Sequence, residues 1–329
     1  MRVYLHSSVF SLNTDALTLL GVISFAYENR HRIFVWDDQD EAWQGWLRAR
    51  DQDIREQIEL ALEQSLLDDQ QGRDLQTLHV VDVEQDDWTA PEPRLMPRTA
   101  LQFLARPLLV VLENSRNDRD FILAVANPLR RRELSAAVQA GWVTFSGGGF
   151  GEVKAAVDEM KGSRTNIMRS WVMFDSDAQQ PGVPSVDTQR VAQSCVETAQ
   201  SIGEQPQRFF HQLQRRTIEN YIPPQALCDS LRDTQLQRAR AFSRLSAPQR
   251  WHYYVKDGLR KDCGDVRQPP ALFRGVRLRD REVLWDGFGA DIAPRFFGAE
   301  RPSLSWSMLK ADDTEQEIQP MIEALLGRL

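Results

Sequence analysis

The sequence is poor in cysteine, in lysine and in long apolar runs, and each shortage removes a class of protein. Its three cysteines, Cys195, Cys228 and Cys263, are scattered and show no CxxC spacing. That argues against a disulfide scaffold and a structural zinc site, and fits small core thiols in a reducing compartment. No apolar run is long enough to span a bilayer, and the first residues lack a signal-peptide pattern. No membrane segment is expected, and the cytoplasm is the expected location. Only five of the 40 basic residues are lysines, so basic contacts fall mostly to arginine, which serves carboxylates and phosphates alike.

The chain has 329 residues, 42 % hydrophobic and 26 % charged, enough for two domains or one α/β domain with an extension. The net charge of -7 does not advertise nucleic-acid binding, but its distribution is uneven. Residues 1–106 carry 10 arginines, no lysine and 19 acids. Residues 207–250 carry eight arginines, among them Arg215, Arg216, Arg238 and Arg244, against three acids. Such a stretch either binds a polyanion or pairs with the acidic N-terminal region.

Short strands are expected at 2–9, 31–36 and 79–83, with a helix from Asp51 whose Ile54, Ile58, Ala61, Leu62 and Leu66 share one face. Pro91, Pro93 and Pro97 read as a linker. From Pro107 strands and helices alternate: strand 108–112, helix 118–127, strand 142–145, helix 151–161, strand 171–174, helix 187–201, strand 209–213. This rhythm predicts an α/β fold with a mostly parallel sheet flanked by helices. Residues 224–263 read as helical and basic, and the remainder as irregular until a last helix at 313–327. The expected division is an N-terminal α/β extension over 1–106, a core over 107–222 and a mainly helical region over 223–329.

Chemistry is written at two strand ends. Trp171-Val172-Met173-Phe174 closes on Asp175-Ser176-Asp177, and Leu108-Leu109-Val110-Val111-Leu112 closes on Glu113. Apolar runs of this kind belong inside a sheet, whereas buried carboxylates without a counter-charge cost several kcal/mol each. At the C-terminal edge of a parallel sheet they form one half each of a divalent-metal site; turn and capping roles are the plain alternative. The loop Gly147-Gly148-Gly149-Phe150-Gly151 satisfies neither the P-loop nor the dinucleotide pattern. It reads as a tight strand-to-helix turn beside the metals.

Glu113, this glycine loop and Asp175-x-Asp177, in that order, resemble the Toprim domain. The segment Gln214-Arg215-Arg216-Thr217-Ile218-Glu219-Asn220-Tyr221-Ile222 resembles the Arg-x-x-Ile-Glu-Asn-Tyr-Leu element of OLD-like Toprim nucleases, a group that includes the effector of the PARIS antiphage system. The resemblance covers about residues 107–260. It implies an Mg²⁺- or Mn²⁺-dependent nuclease, with two ions held by Glu113, Asp118, Asp175, Asp177 and Glu219. Asn114 stands where the family has glycine, and Asp118 lies one residue beyond the family's second acid, so Asp118 and Asp120 are alternatives. Glu219 has a plainer role too, an ion pair with Arg215 or Arg216.

In such nucleases a lysine after this element lies near the metals, and Lys256 holds that place, or else is a solvated surface residue. Arg215, Arg216, Arg238 and Arg244 are the expected nucleic-acid contacts. Tyr253 and Tyr254 either stack on bases or pack in the core, and His211 reads as a structural histidine. The expected function is endonucleolytic cleavage of DNA or RNA in antiphage defence. A separate ABC-type ATPase or sensor is the implied partner, since no Walker A motif is present, and a homo-oligomer is among the expected assemblies. The alternative is a Toprim-shaped module that binds nucleic acid or a partner without cleaving.

Overall fold

The computed structural model describes residues 1–11, 15–70, 72, 74–298, 304–312 and 315–329. The fold is α/β and contains two four-stranded sheets, each wholly parallel. The first is built from β1 (Arg2–Leu5), α1 (Ala16–Tyr27), β2 (Arg32–Val35), α2 (Glu41–Arg48), α3 (Gln52–Asp69), β3 (Thr77–Val80), β4 (Arg94–Leu95) and α4 (Pro97–Ala105). Its strand order is β2-β1-β3-β4.

The second is built from β5 (Leu108–Val111), α5 (Asn117–Val125), α6 (Pro128–Gln139), β6 (Val143–Ser146), α7 (Phe150–Met160), α8 (Arg164–Met168), β7 (Ser170–Phe174), α9 (Val186–Gln200), α10 (Pro206–Phe209) and β8 (Phe210–Gln212). Its order is β6-β5-β7-β8. The rest joins α-helices by turns and short 3₁₀ segments: α11 (Pro224–Ser230), α12 (Asp233–Ser243), α13 (Ala247–His252), α14 (Leu278–Val283), α15 (Ile292–Phe297), α16 (Trp306–Ala311) and α17 (Glu315–Leu326), so the helical stretch expected over 224–263 ends at His252.

The apolar runs of β5 and β7 make them the two inner strands of the second sheet, paired Val110 to Trp171 and Val111 to Val172. One face packs Leu108, Val110, Trp171 and Met173 against Phe121, Ile122 and Leu134 and against the C-terminal helices. The other packs Val111, Val172 and Phe174 against Val153, Val157 and Cys195. That second core continues into the first sheet through Phe103 and Leu104 to Val3, Leu5, Ile33 and Leu78. It therefore runs across the 106/107 division, which falls in the loop between α4 and β5. Each Val, Leu or Phe fully buried contributes about 1.5–3 kcal/mol over leaving it exposed, so strands clamped on both faces give the site a rigid base.

Several local expectations are corrected. The proline-rich stretch is not a linker: Arg94–Leu95 pairs with β3, and Pro97 opens α4 at a position where its missing N–H costs nothing. The N-terminal strand ends at Leu5, and Ser7–Phe10 forms a 3₁₀ helix. Helices α1, α2, α4 and α6 stand where none was expected. The stretch after residue 263 holds α14, α15 and α16 rather than irregular chain, and residues 313 and 314 of the expected last helix lie outside the described residues. Among the described residues no helix is long and apolar enough to cross a membrane.

Candidate metal centre

The chain passes from β5 outward to β6, then crosses back to β7 on the other side of β5. Strand order reverses between β5 and β7, and loops leaving such a pair part to leave a crevice at the C-terminal edge. Glu113 follows β5 and Asp175 follows β7, so the two carboxylates meet there. Glu113 Oε1 accepts a hydrogen bond from the Asp175 backbone N–H at 2.8 Å. The crevice opens into a cavity of about 400 Å³ lined by Glu113, Asp118, Asp175, Glu219, Lys256 and the glycines 147–149. A larger cavity, about 530 Å³, lies at the N-terminal ends of β2 and β6 near His31 and Trp142 and has no comparable set of acids.

Local chemistry explains each placement. Asn114 caps the turn into α5, its Oδ1 accepting from the Arg116 and Asn117 N–H groups. Its own N–H donates to Asp118 Oδ2 at 2.8 Å, which turns Asp118 into the cavity lining. Asp120 pairs with Arg119 and is absent from the lining, so Asp118 is the acid the fold brings to the site. Gly147 is required by close approach: a Cβ there would stand 2.5 Å from the Leu112 carbonyl oxygen. Gly149 has φ +109°, and its N–H donates to the Glu113 carbonyl at 2.7 Å.

Glu219 comes from a 3₁₀ turn, Ile218–Tyr221. Asn220 fastens it, accepting from Thr217 N–H and donating to the carbonyls of Arg250 and Tyr253 at 2.7 and 2.8 Å. Tyr221 is fully buried and donates to Glu317 at 2.6 Å. The same tie to residues 250–253 delivers Lys256, whose Nζ stands 3.1 Å from Glu219 Oε1. The two form a close ion pair whose alignment is poor for a hydrogen bond, and both Glu219 oxygens are buried.

The electrostatics are those of crowded acids. Burial, then the charges of Asp118 and Asp177, raise the Glu113 carboxyl to about 7. Burial, then Glu219, raises Asp118 to about 6. Burial and the charges of Glu113, Asp118 and Glu219 push Asp175 well above the usual carboxylate range. Burial opposes the Lys256 ammonium, but Glu219 and Asp175 outweigh it and raise its pKa. Asp177 is exposed, stands outside the cavity lining and has φ +50°. Neighbouring protein atoms partly desolvate its carboxyl and raise its pKa, while Arg216, Lys256 and Lys261 pull the other way.

The donors are hard carboxylate oxygens, the set that Mg²⁺ and Mn²⁺ prefer. Glu219 Oε2, buried with neither a hydrogen bond nor an ion-pair contact, is what a cation would satisfy, so the residues fit such an ion. As the side chains stand, no three acidic, histidine or cysteine groups among the described residues are gathered into a ready-made ligand shell. Glu113 and Asp118 instead accept from backbone N–H groups, and Lys256 stands beside Glu219.

Arg215 and Arg216 are not at a nucleic-acid surface. Arg215 is buried between the rings of Tyr221 and Trp251 and pairs with Asp312 at 2.7 Å. Arg216 is buried, grips Asp262 at 2.6 and 2.8 Å and lies over Tyr254. Arg238 is half-buried and donates to the Val283 carbonyl at 3.1 Å. Arg244 alone of the four is exposed, paired with Asp280. The acids that Arg215, Arg216 and Arg244 use lie in the C-terminal region; of the basic stretch, Arg208 does pair with the N-terminal region, at Asp74 (3.4 Å). Tyr253 is core, its hydroxyl donating to the Leu284 carbonyl, and His211 contacts Glu317 at 2.9 Å.

Sequence reasoning missed Asn114, Asp262, Asp312 and Glu317. Asn114 carried a local signal as an N-terminal capping residue; the other three join segments far apart in the chain and carried none. Comparison with protein-family models, with characterised proteins and with solved structures finds no match.

Proposed function

We propose that this chain is a divalent-metal-dependent nuclease of the OLD-like Toprim type that hydrolyses phosphodiester bonds in DNA or RNA. The observation that carries this reading is the meeting of Glu113, Asp118, Asp175, Glu219 and Lys256 where the strand order reverses. Glu113, Asp175 and Glu219 would hold Mg²⁺ or Mn²⁺, with Asp118 and Asp177 flanking, and two such ions supply an activated water and charge for the leaving oxygen. The chain's own residues do the rest. The glycine loop lets a phosphate approach the backbone, and Lys256 offers its ammonium to the phosphoryl oxygens as negative charge grows. The role in antiphage defence and the separate ABC-type ATPase or sensor rest on the resemblance of residues 214–222, and the cytoplasm remains the expected location.

One observation favours the non-cleaving module instead: Lys256 already sits on Glu219 as the counter-charge. The two readings separate in a cleavage assay on plasmid DNA, single-stranded DNA and structured RNA with Mg²⁺, Mn²⁺ or EDTA. The nuclease reading expects metal-dependent cutting that Asp175→Asn abolishes while its melting temperature does not fall. Cutting by pure Asp175→Asn protein at the wild-type rate overturns it.

A further inference from the structure

With Arg215 and Arg216 committed to internal acids, a nucleic acid must be held elsewhere, and the C-terminal region contains an arginine-walled groove. Helix α12 packs beside α14, tied by Arg238 to the Val283 carbonyl and by the Arg244–Asp280 pair. Between them lies a cavity of about 400 Å³ lined by Ala241, Arg244, Leu245, Gln249, Arg277 and Asp280 among others. Its one lining acid, Asp280, is already engaged by Arg244.

Around it, Arg240, Arg274 and Arg277 are exposed, and among the described residues none has an acidic partner. Arg240, in the last turn of α12, and Arg244, at its C-cap, are four apart, a spacing at which like charges repel. In a chain of net charge -7, residues 229–282 carry thirteen basic and seven acidic side chains. Arg244 and Arg277 line the groove, while Arg240 and Arg274 immediately precede its lining residues Ala241 and Gly275; such a cluster suits a phosphate backbone, which the planar guanidinium grips through paired N–H donors.

The groove is also mechanically joined to the metal centre. Leu284, the residue after α14, accepts hydrogen bonds at its carbonyl from Leu259 N–H and the Tyr253 hydroxyl. Gly258 and Gly287 cross so closely that a Cβ on Gly287 would stand 2.4 Å from the Lys256 carbonyl oxygen. The wall that carries the arginines is thus locked to the loop that carries Lys256.

We propose that the α12–α14 groove is a nucleic-acid backbone site, in which Arg240, Arg244, Arg274 and Arg277 hold phosphates of the strand presented to the carboxylate cavity. The identity of the polyanion rests on the nuclease reading. The test is binding of labelled duplex DNA and labelled stem-loop RNA to the full chain in EDTA, by fluorescence anisotropy across a range of KCl. Wild type should bind at least one probe with steep salt dependence. Arg240→Ala/Arg274→Ala/Arg277→Ala should weaken binding about tenfold or more at low salt and flatten the log-log slope by about two to three units.

Its melting temperature should be unchanged, because these side chains have no partners to lose. Should the triple variant fold poorly, each single variant should flatten the slope by about 0.7–0.9, and Arg267→Ala, an exposed arginine that neither lines the groove nor adjoins a lining residue, should not. Unchanged affinity and slope overturn the proposal. So does a wild type that binds neither probe, or one that instead self-associates through this patch. If the triple variant binds normally while Asp175→Asn abolishes cleavage, the groove fails and the nuclease stands. If Asp175→Asn still cuts while the triple variant loses binding, the reverse holds.

Discussion

Replacing Lys256 by methionine removes the counter-charge of the cavity and keeps most of the side-chain volume. The Glu219 side chain is 0 % exposed and the Lys256 side chain 33 %. Breaking a fully buried pair by removing one partner costs about 3–5 kcal/mol. Solvent reaching Lys256 screens part of that, so about 2–3 kcal/mol is expected here. At roughly 2 °C per kcal/mol for a chain of this size, the metal-free variant should melt about 4–6 °C below wild type.

Two companions fix the cause. Adding Glu219→Gln to Lys256→Met should recover most of the loss, since no buried charge is then left unpaired. Ca²⁺ should raise the melting temperature of Lys256→Met more than that of wild type, because a bound cation replaces the missing ammonium; a ligand at a hundred times its Kd contributes about 2.7 kcal/mol. Differential scanning calorimetry in EDTA and in Ca²⁺ reads all three. An unchanged melting temperature for Lys256→Met, or no recovery in the double variant, refutes the view that the cavity is a set of mutually repelling acids held by one lysine.

Two further outcomes follow from the same geometry. Glu113 and Asp118 are raised to about 7 and about 6 in the folded chain, above their unfolded values, so the folded form holds protons that the unfolded form has released. Stability of the metal-free protein should therefore fall as pH rises from about 4.5 to about 7 and then level off; thermal melts along a pH series in EDTA should show that decline, and Ca²⁺ should remove it. Gly147→Ala places a methyl 2.5 Å from the Leu112 carbonyl oxygen and 2.8 Å from the Ser115 nitrogen; displacement of the loop should abolish cleavage, measured with circular dichroism to confirm that the sheet persists.

The parts of the site visible in the sequence were those that local patterns dictate. Trp171–Phe174 and Leu108–Leu112 had to be inner strands, so the acids following them had to share an edge. Whether they shared a crevice depended on strand order, which no local pattern encodes. Helix α1 was invisible because ALTLLGVISFAY is apolar nearly all round and shows little periodicity. β4 is two residues long, too short for any pattern.

The arginines were misread for a different reason. A guanidinium fits carboxylate and phosphate equally well, and the deciding partners, Asp312 and Asp262, lie 97 and 46 residues away from Arg215 and Arg216. Asn220 and Tyr221 were recognised only as letters of a motif. The fold gives them work: Asn220 joins Glu219 to the Lys256 segment, and Tyr221 anchors that turn to α17.

The central claim is that Glu113, Asp175 and Glu219 hold divalent cations, and anomalous diffraction from crystals soaked in Mn²⁺ tests it most directly. The account predicts anomalous peaks in the cavity between these carboxylates, with Lys256 displaced from Glu219. Its contradiction would be a cavity without anomalous density at saturating Mn²⁺, with the Lys256–Glu219 pair intact.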